Sequence, residues 1–336
     1  MNAINHQVRL AGRPTGMPAA QNWDHTEEPV GEPGEGQFLV RVTHVSLDPA
    51  MRGWLNDAPS YIPPVRIGDV MRAGAAGEVI ASNNPRFAPG EQVTGVFGVQ
   101  EYAISDGGNV TRVDTSAAAL PTYLSALGMT GMTAYFGLLE VGALREGDTV
   151  LVSAAAGAVG SIAGQIAKIK GCRVIGIAGG EQKCRWLTEE LGFDAAIDYR
   201  AGSLSRELRE HAPDGVDVFF DNVGGDVLDA GLARLARGAR VVICGAISQY
   251  NADHVQGPSN YLSLLVNRAR MEGFLVTDYA DRFRAAGAEM ARWIGEGRLR
   301  SHEDLVDGSV TDFPDTLLRL FRGENTGKLI LRIAGS

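Results

Sequence analysis

The sequence predicts an α/β protein of two domains, a β-rich unit followed by a doubly wound parallel sheet. Three observations carry that reading. The chain has 336 residues, which exceeds the roughly 150 typical of one domain. Its first 120 residues are short apolar–polar alternations broken by Gly and Pro, as half-buried strands with turns would be. From about residue 131 onward, strand-like runs alternate with helical ones, the texture of successive βαβ units.

Taken in order, QFLVRVTHVSL (37–47), VMRAGAAGEVIAS (70–82) and EQVTGVFGVQEYAIS (91–105) are the strands of the first unit, with Pro89-Gly90 as a turn. TVLVSAAAG (149–157) is an apolar run of strand length that opens into the helical stretch SIAGQIAKIKG. CRVIGIAGG (172–180) is the next strand, followed by a helix from Glu181 to Gly192. DAAIDY, VDVFFDNV and ARVVICGAI supply further strands, a helix is expected over 281–297, and KLILRI (328–333) returns to strand. The expected domains are a β-rich unit, 1–130, completed by 297–336, and a Rossmann unit over 131–296.

Composition narrows the class. Hydrophobic residues make 45% and charged residues 21%, ordinary for a globular protein. Glycine, at 43 residues, is about 13% of the chain against a usual share of about 7%. A net charge of −9 disfavours nucleic acid or an anionic membrane as main partner. The opening MNAINHQVRLAGRPTG has no apolar core of signal-peptide length, and no run nears the roughly 20 residues of a membrane span. Three scattered cysteines, Cys172, Cys184 and Cys244, fit a reducing compartment. A soluble cytoplasmic protein is the expectation.

The strongest local motif is Ala155-Ala156-Gly157-Ala158-Val159-Gly160, an AxGxxG fingerprint placed between a strand and a helix. Gly157 would admit a pyrophosphate to the backbone, Gly160 would let helix and strand pack closely, and the helix N-terminus would face the phosphates. The bland alternative is a glycine-rich turn with no ligand. The second strand ends Ala178-Gly179-Gly180, with Lys183, Arg185 and Tyr199-Arg200 nearby. Small residues leave room for a 2′-phosphate and cations can neutralise it, which favours NADP; Glu181 argues the other way, as an NAD-type acid. Catalytic zinc needs three protein ligands. All three cysteines fall in the Rossmann half, and His6, His25 and His44 stand singly, so no metal is expected.

Segments across the whole chain carry a resemblance: LDPAMRGWLNDAPSYIPPV (47–65), LGMTGMTAYFGLLEVG (127–142), the stretch 154–180, FDNVGGDVLD (220–229), CGAISQYN (244–251) and GENTGKLILRI (323–333). They resemble the zinc-independent medium-chain dehydrogenase/reductases, in the prostaglandin reductase and bacterial curcumin reductase group. That resemblance implies a GroES-like catalytic domain with a Rossmann domain, NADPH as cofactor, a homodimer, and reduction of the C=C bond of α,β-unsaturated ketones and aldehydes. Residue by residue, it implies a pyrophosphate loop at Gly157, Ala158, Val159 and Gly160, and 2′-phosphate contacts at Lys183 and Tyr199. It implies cofactor contacts at Met129, Asn222, Phe274, Leu275, Val276 and Asn325. Cys244, Gly245, Ala246, Ile247 and Ser248 match the loop beside the nicotinamide, and Tyr250 the tyrosine assigned to the enolate or proton. Tyr61 matches a pocket tyrosine, with a structural anchor as its alternative. The chain departs from relatives at LGMTG, often LGMPG, and at DPAMR, often DPYMR, so Ala50 alters the expected pocket size.

The chemistry has its own logic. Hydride addition to the β-carbon of an enone puts negative charge on the carbonyl oxygen, and a preorganised hydroxyl donor there stabilises the enolate. Tyr250 is that candidate, against the alternative of a packing tyrosine. Two other readings stay open: a zinc-free NADPH quinone reductase, and a non-catalytic NADPH-binding protein.

Overall fold

The computed structural model describes residues 3–334. It divides into two compact units, one running to Leu124 and resumed from Glu303, the other Ser125–His302.

In the first unit, β1 (Ile4–Leu10) and β2 (Trp23–Pro29) form an antiparallel ribbon. β3 (Phe38–Ser46), the one-turn α1 (Met51–Trp54), β4 (Gly74–Ser82), β5 (Gln92–Val96), β6 (Tyr102–Ser105) and β7 (Thr111–Arg112) follow. Alternation along β3 buries Phe38, Val40 and Val42 in one cluster with Val79, Val93 and Phe97, as a strand with one face on the core requires.

The second unit holds α2 (Met129–Phe136), β8 (Thr149–Val152), α3 (Ala158–Ile169), β9 (Arg173–Ala178), α4 (Glu181–Arg185), β10 (Ala195–Asp198), α5 (Leu204–His211), β11 (Val216–Asp221), α6 (Gly225–Leu232), β12 (Leu235–Ile243), α7 (Leu262–Asn267), β13 (Arg270–Gly273) and α8 (Phe283–Gly295). Its strands form a sheet in the order β10-β9-β8-β11-β12-β13, and every pairing is parallel. Numbered from β8 that is 3-2-1-4-5-6, the doubly wound order. The apolar runs read from the sequence are continuous because both faces of the sheet are covered. Val150, Val152, Val218, Phe220 and Val242 point into one core, whereas Leu151, Ile175, Phe219 and Val241 point into the other.

β14 (Glu303–Gly308), α9 (Phe313–Arg322) and β15 (Lys328–Ile333) then complete the first unit, β15 pairing with β3. The seven-stranded sheet runs β14-β15-β3-β4-β5-β7, with β6 also on β3. The units divide at 124/125 and 302/303, outside the 130/131 and 296/297 that texture suggests. Hydrogen bonds give the reason. Thr130 Oγ1 and Gly131 N donate to the carbonyl of Ser125, and Gln165 brackets Arg300 through both its amide atoms, so both short stretches stay with the second unit. Among the described residues, no helix is long and apolar enough to cross a membrane.

Candidate active site

The glycine loop is built by sterics. β8 ends at Val152, Ala154 takes a left-handed φ of 46°, and Gly157 in extended conformation caps α3. A Cβ at Gly160 would stand 2.4 Å from the Ala154 carbonyl oxygen, which is backbone and cannot step aside. Only glycine lets α3 begin this close to the strand. The first amides of α3 have no partner within the helix, so Ala158, Val159 and Gly160 present N–H groups and the positive end of the helix dipole.

At the end of β9, the Asp198 carboxylate accepts from the N–H groups of Gly180 and Arg200, both at 2.9 Å. It thereby ties the Gly179-Gly180 turn to the end of β10. Tyr199 and Arg200 lean over that turn: a Cβ at Gly179 would meet the Tyr199 ring at 2.9 Å and Arg200 Nε at 3.0 Å. The Arg200 guanidinium also stacks over the Tyr199 ring, 5.6 Å from its centroid. Lys183 lies in α4, which packs against β10. Glu181, the acid that argued for NAD, is 82% exposed and 3.8 Å from Arg185.

The third part lies where the winding direction changes, between β8 and β11. Asn222 donates from its backbone N to Ser153 Oγ and from Nδ2 to the Ser153 carbonyl, both at 2.8 Å. The segment after β12 is draped on this turn, with Cys244 N on the Asp221 carbonyl at 2.8 Å and Ile247 N on that of Asn222 at 3.2 Å. Tyr250 folds back onto the same segment, its hydroxyl accepting from Ala246 N at 3.1 Å. A Cβ at Gly245 would come within 3.0 Å of that hydroxyl. In doubly wound sheets, the crevice at the carboxyl ends of the strands at this switch is where ligands bind.

A family profile described as "N-terminal domain of oxidoreductase" matches residues 6–113, and one described as "Zinc-binding dehydrogenase" matches residues 158–292. The chain is 42% identical to the NADPH-dependent curcumin reductase of Escherichia coli (strain K12), over 98% of this chain and 97% of that one. The chain belongs to the medium-chain dehydrogenase/reductase family, in its curcumin reductase and prostaglandin reductase group. It is 37% identical to prostaglandin reductase 1 of Mus musculus over 94% and 95% of the two chains. The crystal structure of CurA in complex with NADPH from Vibrio vulnificus superposes with a TM-score of 0.93 at 42% identity, covering 98% of this chain and 100% of that one.

Seen as a medium-chain reductase, the chain shows what holds each expected residue. Phe274 rests on the core: a Cβ at Gly137 would meet its ring at 2.5 Å. Leu275 is exposed and Val276 half-buried behind it, and Met129, 54% exposed, opens α2. Ser248 donates from both N and Oγ to the Val223 carbonyl, the latter at 2.6 Å. In the β-rich unit, Tyr61 is 59% exposed and its hydroxyl accepts from Trp54 Nε1 at 3.3 Å, while Asn325 Nδ2 donates to the Gly327 carbonyl at 2.9 Å. Arg52 is buried, donating to the carbonyls of Pro14 and Gly16 and to Asn56 Oδ1. Despite the second profile's description, no group of three or more His, Cys, Asp or Glu among the described residues could hold a metal. All three cysteines are free thiols. Burial pushes Cys172 and Cys184 up to about 11 and Cys244 to about 12, so none is a nucleophile at neutral pH. Sequence reasoning passed over Ser153, Asp198 and Asp221; the one available signal was a carboxylate closing the apolar run VDVFFD.

Proposed function

We propose that this chain is an NADPH-dependent reductase of the C=C bond of α,β-unsaturated ketones and aldehydes. The observation that carries the proposal is Tyr250, whose hydroxyl is anchored by the Ala246 N–H at the switch point of the sheet. The names of the curcumin and prostaglandin reductase relatives support the same chemistry.

The residues present fit a dinucleotide. No side chain lies within 4 Å of where a Cβ at Gly157 would stand, and the start of α3 offers amides for a pyrophosphate. Lys183 and Tyr199, with Arg200 beside them, would hold a 2′-phosphate, since Arg and Lys recognise phosphate by charge and hydrogen bonding. Asn222, the segment Cys244–Ser248, Met129 and Phe274–Val276 would line the rest. Bound there, NADPH supplies a hydride for the substrate's β-carbon. As electrons move to the carbonyl oxygen, Tyr250 donates its O–H to that oxygen and stabilises the enolate. The α-carbon then takes a proton from Tyr250 or from water, giving the saturated carbonyl compound. For the β-rich unit we propose, on resemblance alone, Tyr61 as a substrate-pocket residue and Asn325 as a cofactor contact.

We further propose a homodimer built on β13. This strand is the sheet's edge, exposed along its length, and the neighbouring α7 shows Leu262, Val266 and Leu265, the last 76% exposed. An open strand edge beside exposed apolar side chains invites pairing with a second copy. The free thiols suit a cytoplasmic setting.

The test is NADPH consumption, with NADH in parallel, against an alkenal, a vinyl ketone, curcumin and a benzoquinone, with light scattering on the same preparation for its mass. Saturated product with NADPH preferred supports the reading, and Tyr250→Phe should lower kcat about 10²–10³-fold with far less change in NADPH binding. Turnover of quinone alone would sink it, as would an unimpaired Tyr250→Phe.

A further inference from the structure

At the switch point, one buried charge is held without a counter-ion. Asp221 closes β11 and is fully buried. Its carboxylate accepts from Ser153 Oγ at 2.6 Å, Val223 N at 3.1 Å and Gly224 N at 2.9 Å. Among the described residues, no Lys, Arg or His is a partner. A buried carboxylate is unfavourable unless its lone pairs are filled; burial pushes its pKa up, and these three donors oppose that. Directly after the two backbone donors the chain turns left-handed at Gly224 and Gly225, at φ 72° and 53°, where a side chain would be strained.

The bonds lead both ways from that carboxylate. On one side is Ser153, the residue directly before the Ala154–Gly160 loop, itself stapled to Asn222. On the other is the turn 221–224, whose carbonyls carry the segment with Tyr250. Asp221 O accepts from Cys244 N and Gly245 N, Asn222 O from Ile247 N, and Val223 O from Ser248 N and Oγ. The next link, Ala246 N to the Tyr250 hydroxyl, ends at the group assigned to the enolate.

We propose that Asp221 is the positioning residue of this active centre, its carboxylate setting the glycine loop through Ser153 and the Tyr250 segment through the Val223-Gly224 turn. The proposal rests on the reading of Tyr250 given above. Asp221→Asn keeps the shape but places an amide N–H₂ against one of the inward N–H groups. Two readouts decide: steady-state kinetics with NADPH and an enone, and amide hydrogen exchange. The expected result is a kcat about tenfold lower, with the enone KM within about threefold. Exchange should quicken at 222–225 and 244–248 while β8, β9 and β12 stay protected.

A kcat and an exchange pattern like those of the unmodified protein would overturn the proposal, and so would quickened exchange spread evenly over the sheet, which is mere destabilisation. If Asp221→Asn does not fold, Ser153→Ala removes one donor and the acceptor of Asn222 N–H. It should show the same pattern with a kcat about threefold lower, and its silence in both readouts overturns the proposal equally. If the unmodified protein reduces no enone, the functional reading fails, and the exchange pattern alone then decides the role of Asp221.

Discussion

The two ends of the parallel sheet bury an aspartate each, and they treat it differently. At the N-terminal end, Asp148 lies just before β8 and pairs with Arg240 of β12, both under 10% exposed. Arg240 also donates to the carbonyls of Gly142 at 2.9 Å and Ala143 at 3.2 Å, and Asp148 accepts from Arg145 N at 2.9 Å. At the C-terminal end, Asp221 is held by a hydroxyl and two backbone amides. A full counter-charge closes the bottom of the sheet as a lock between loop and strand. Neutral donors at the top tie the anion to backbone geometry, and that backbone carries the segment of Tyr250, the residue proposed for the enolate. Charge compensation therefore separates a structural end from a working end.

The largest way to break that distinction is Arg240→Met. It leaves the buried Asp148 without its cation and two carbonyls without donors, which should lower the unfolding free energy by about 3–5 kcal/mol. Urea unfolding reads the loss, and turnover of the folded fraction should match the unmodified protein. Adding Asp148→Asn should recover much of the stability, because removing both charges is often close to neutral. A variant that keeps its stability but loses kcat would make the bottom of the sheet part of the working machinery.

The next effect probes the working end. In Gly160→Ala, the new Cβ must open from 2.4 Å off the Ala154 carbonyl, so α3 backs away and its first amides move. Overpacking of about 1–3 kcal/mol should weaken NADPH binding by about tenfold or more, read by fluorescence titration. Gly157→Ala is the sharper control: its Cβ would sit 3.1 Å from the same oxygen, a crowding relieved by a shift of a few tenths of an ångström, so a clearly smaller melting loss than that of Gly160→Ala is expected. Equal melting losses from the two alanines would remove the steric account of the loop.

How much of this was legible depends on how far each interaction reaches along the chain. The sheet was readable because burial on both faces writes an apolar run into β8, β9, β11 and β12. The glycine loop was readable because the clash at Gly160 is set by residue type within six positions. Tyr250 was singled out by resemblance, since a tyrosine after a strand looks the same whether it packs or reacts. Ser153 and Asp221 were not legible as a pair: their bond spans 68 positions, and although a carboxylate closes the apolar run VDVFFD, nothing local says what it holds. The second division between the units lies off the textural one for the same reason, Gln165 reaching Arg300 across 135 positions, whereas the first turns on a short bond from Thr130 to the Ser125 carbonyl that composition does not mark.

The smallest effect belongs to a third arrangement, a half-buried titratable group beside a like charge. His44 of β3 stands across from Arg332 of β15, which pairs with Asp307 of β14. Burial first, and the Arg332 charge second, push its pKa down to about 4, while Asp307 opposes them. The unfolded chain, with an ordinary histidine near 6.5, then binds more protons than the folded one between the two values. Stability from this group is complete above about pH 6.5 and is lost as pH falls toward about 4. Since His44 is partly exposed, about 1 kcal/mol is expected rather than the full shift. His44→Gln should flatten the decline in unfolding free energy between about pH 7 and about pH 4.5. Parallel declines in the two proteins would mean that other groups set the acid limb, and that a like-charged neighbour is not a third way of holding a half-buried group in this fold.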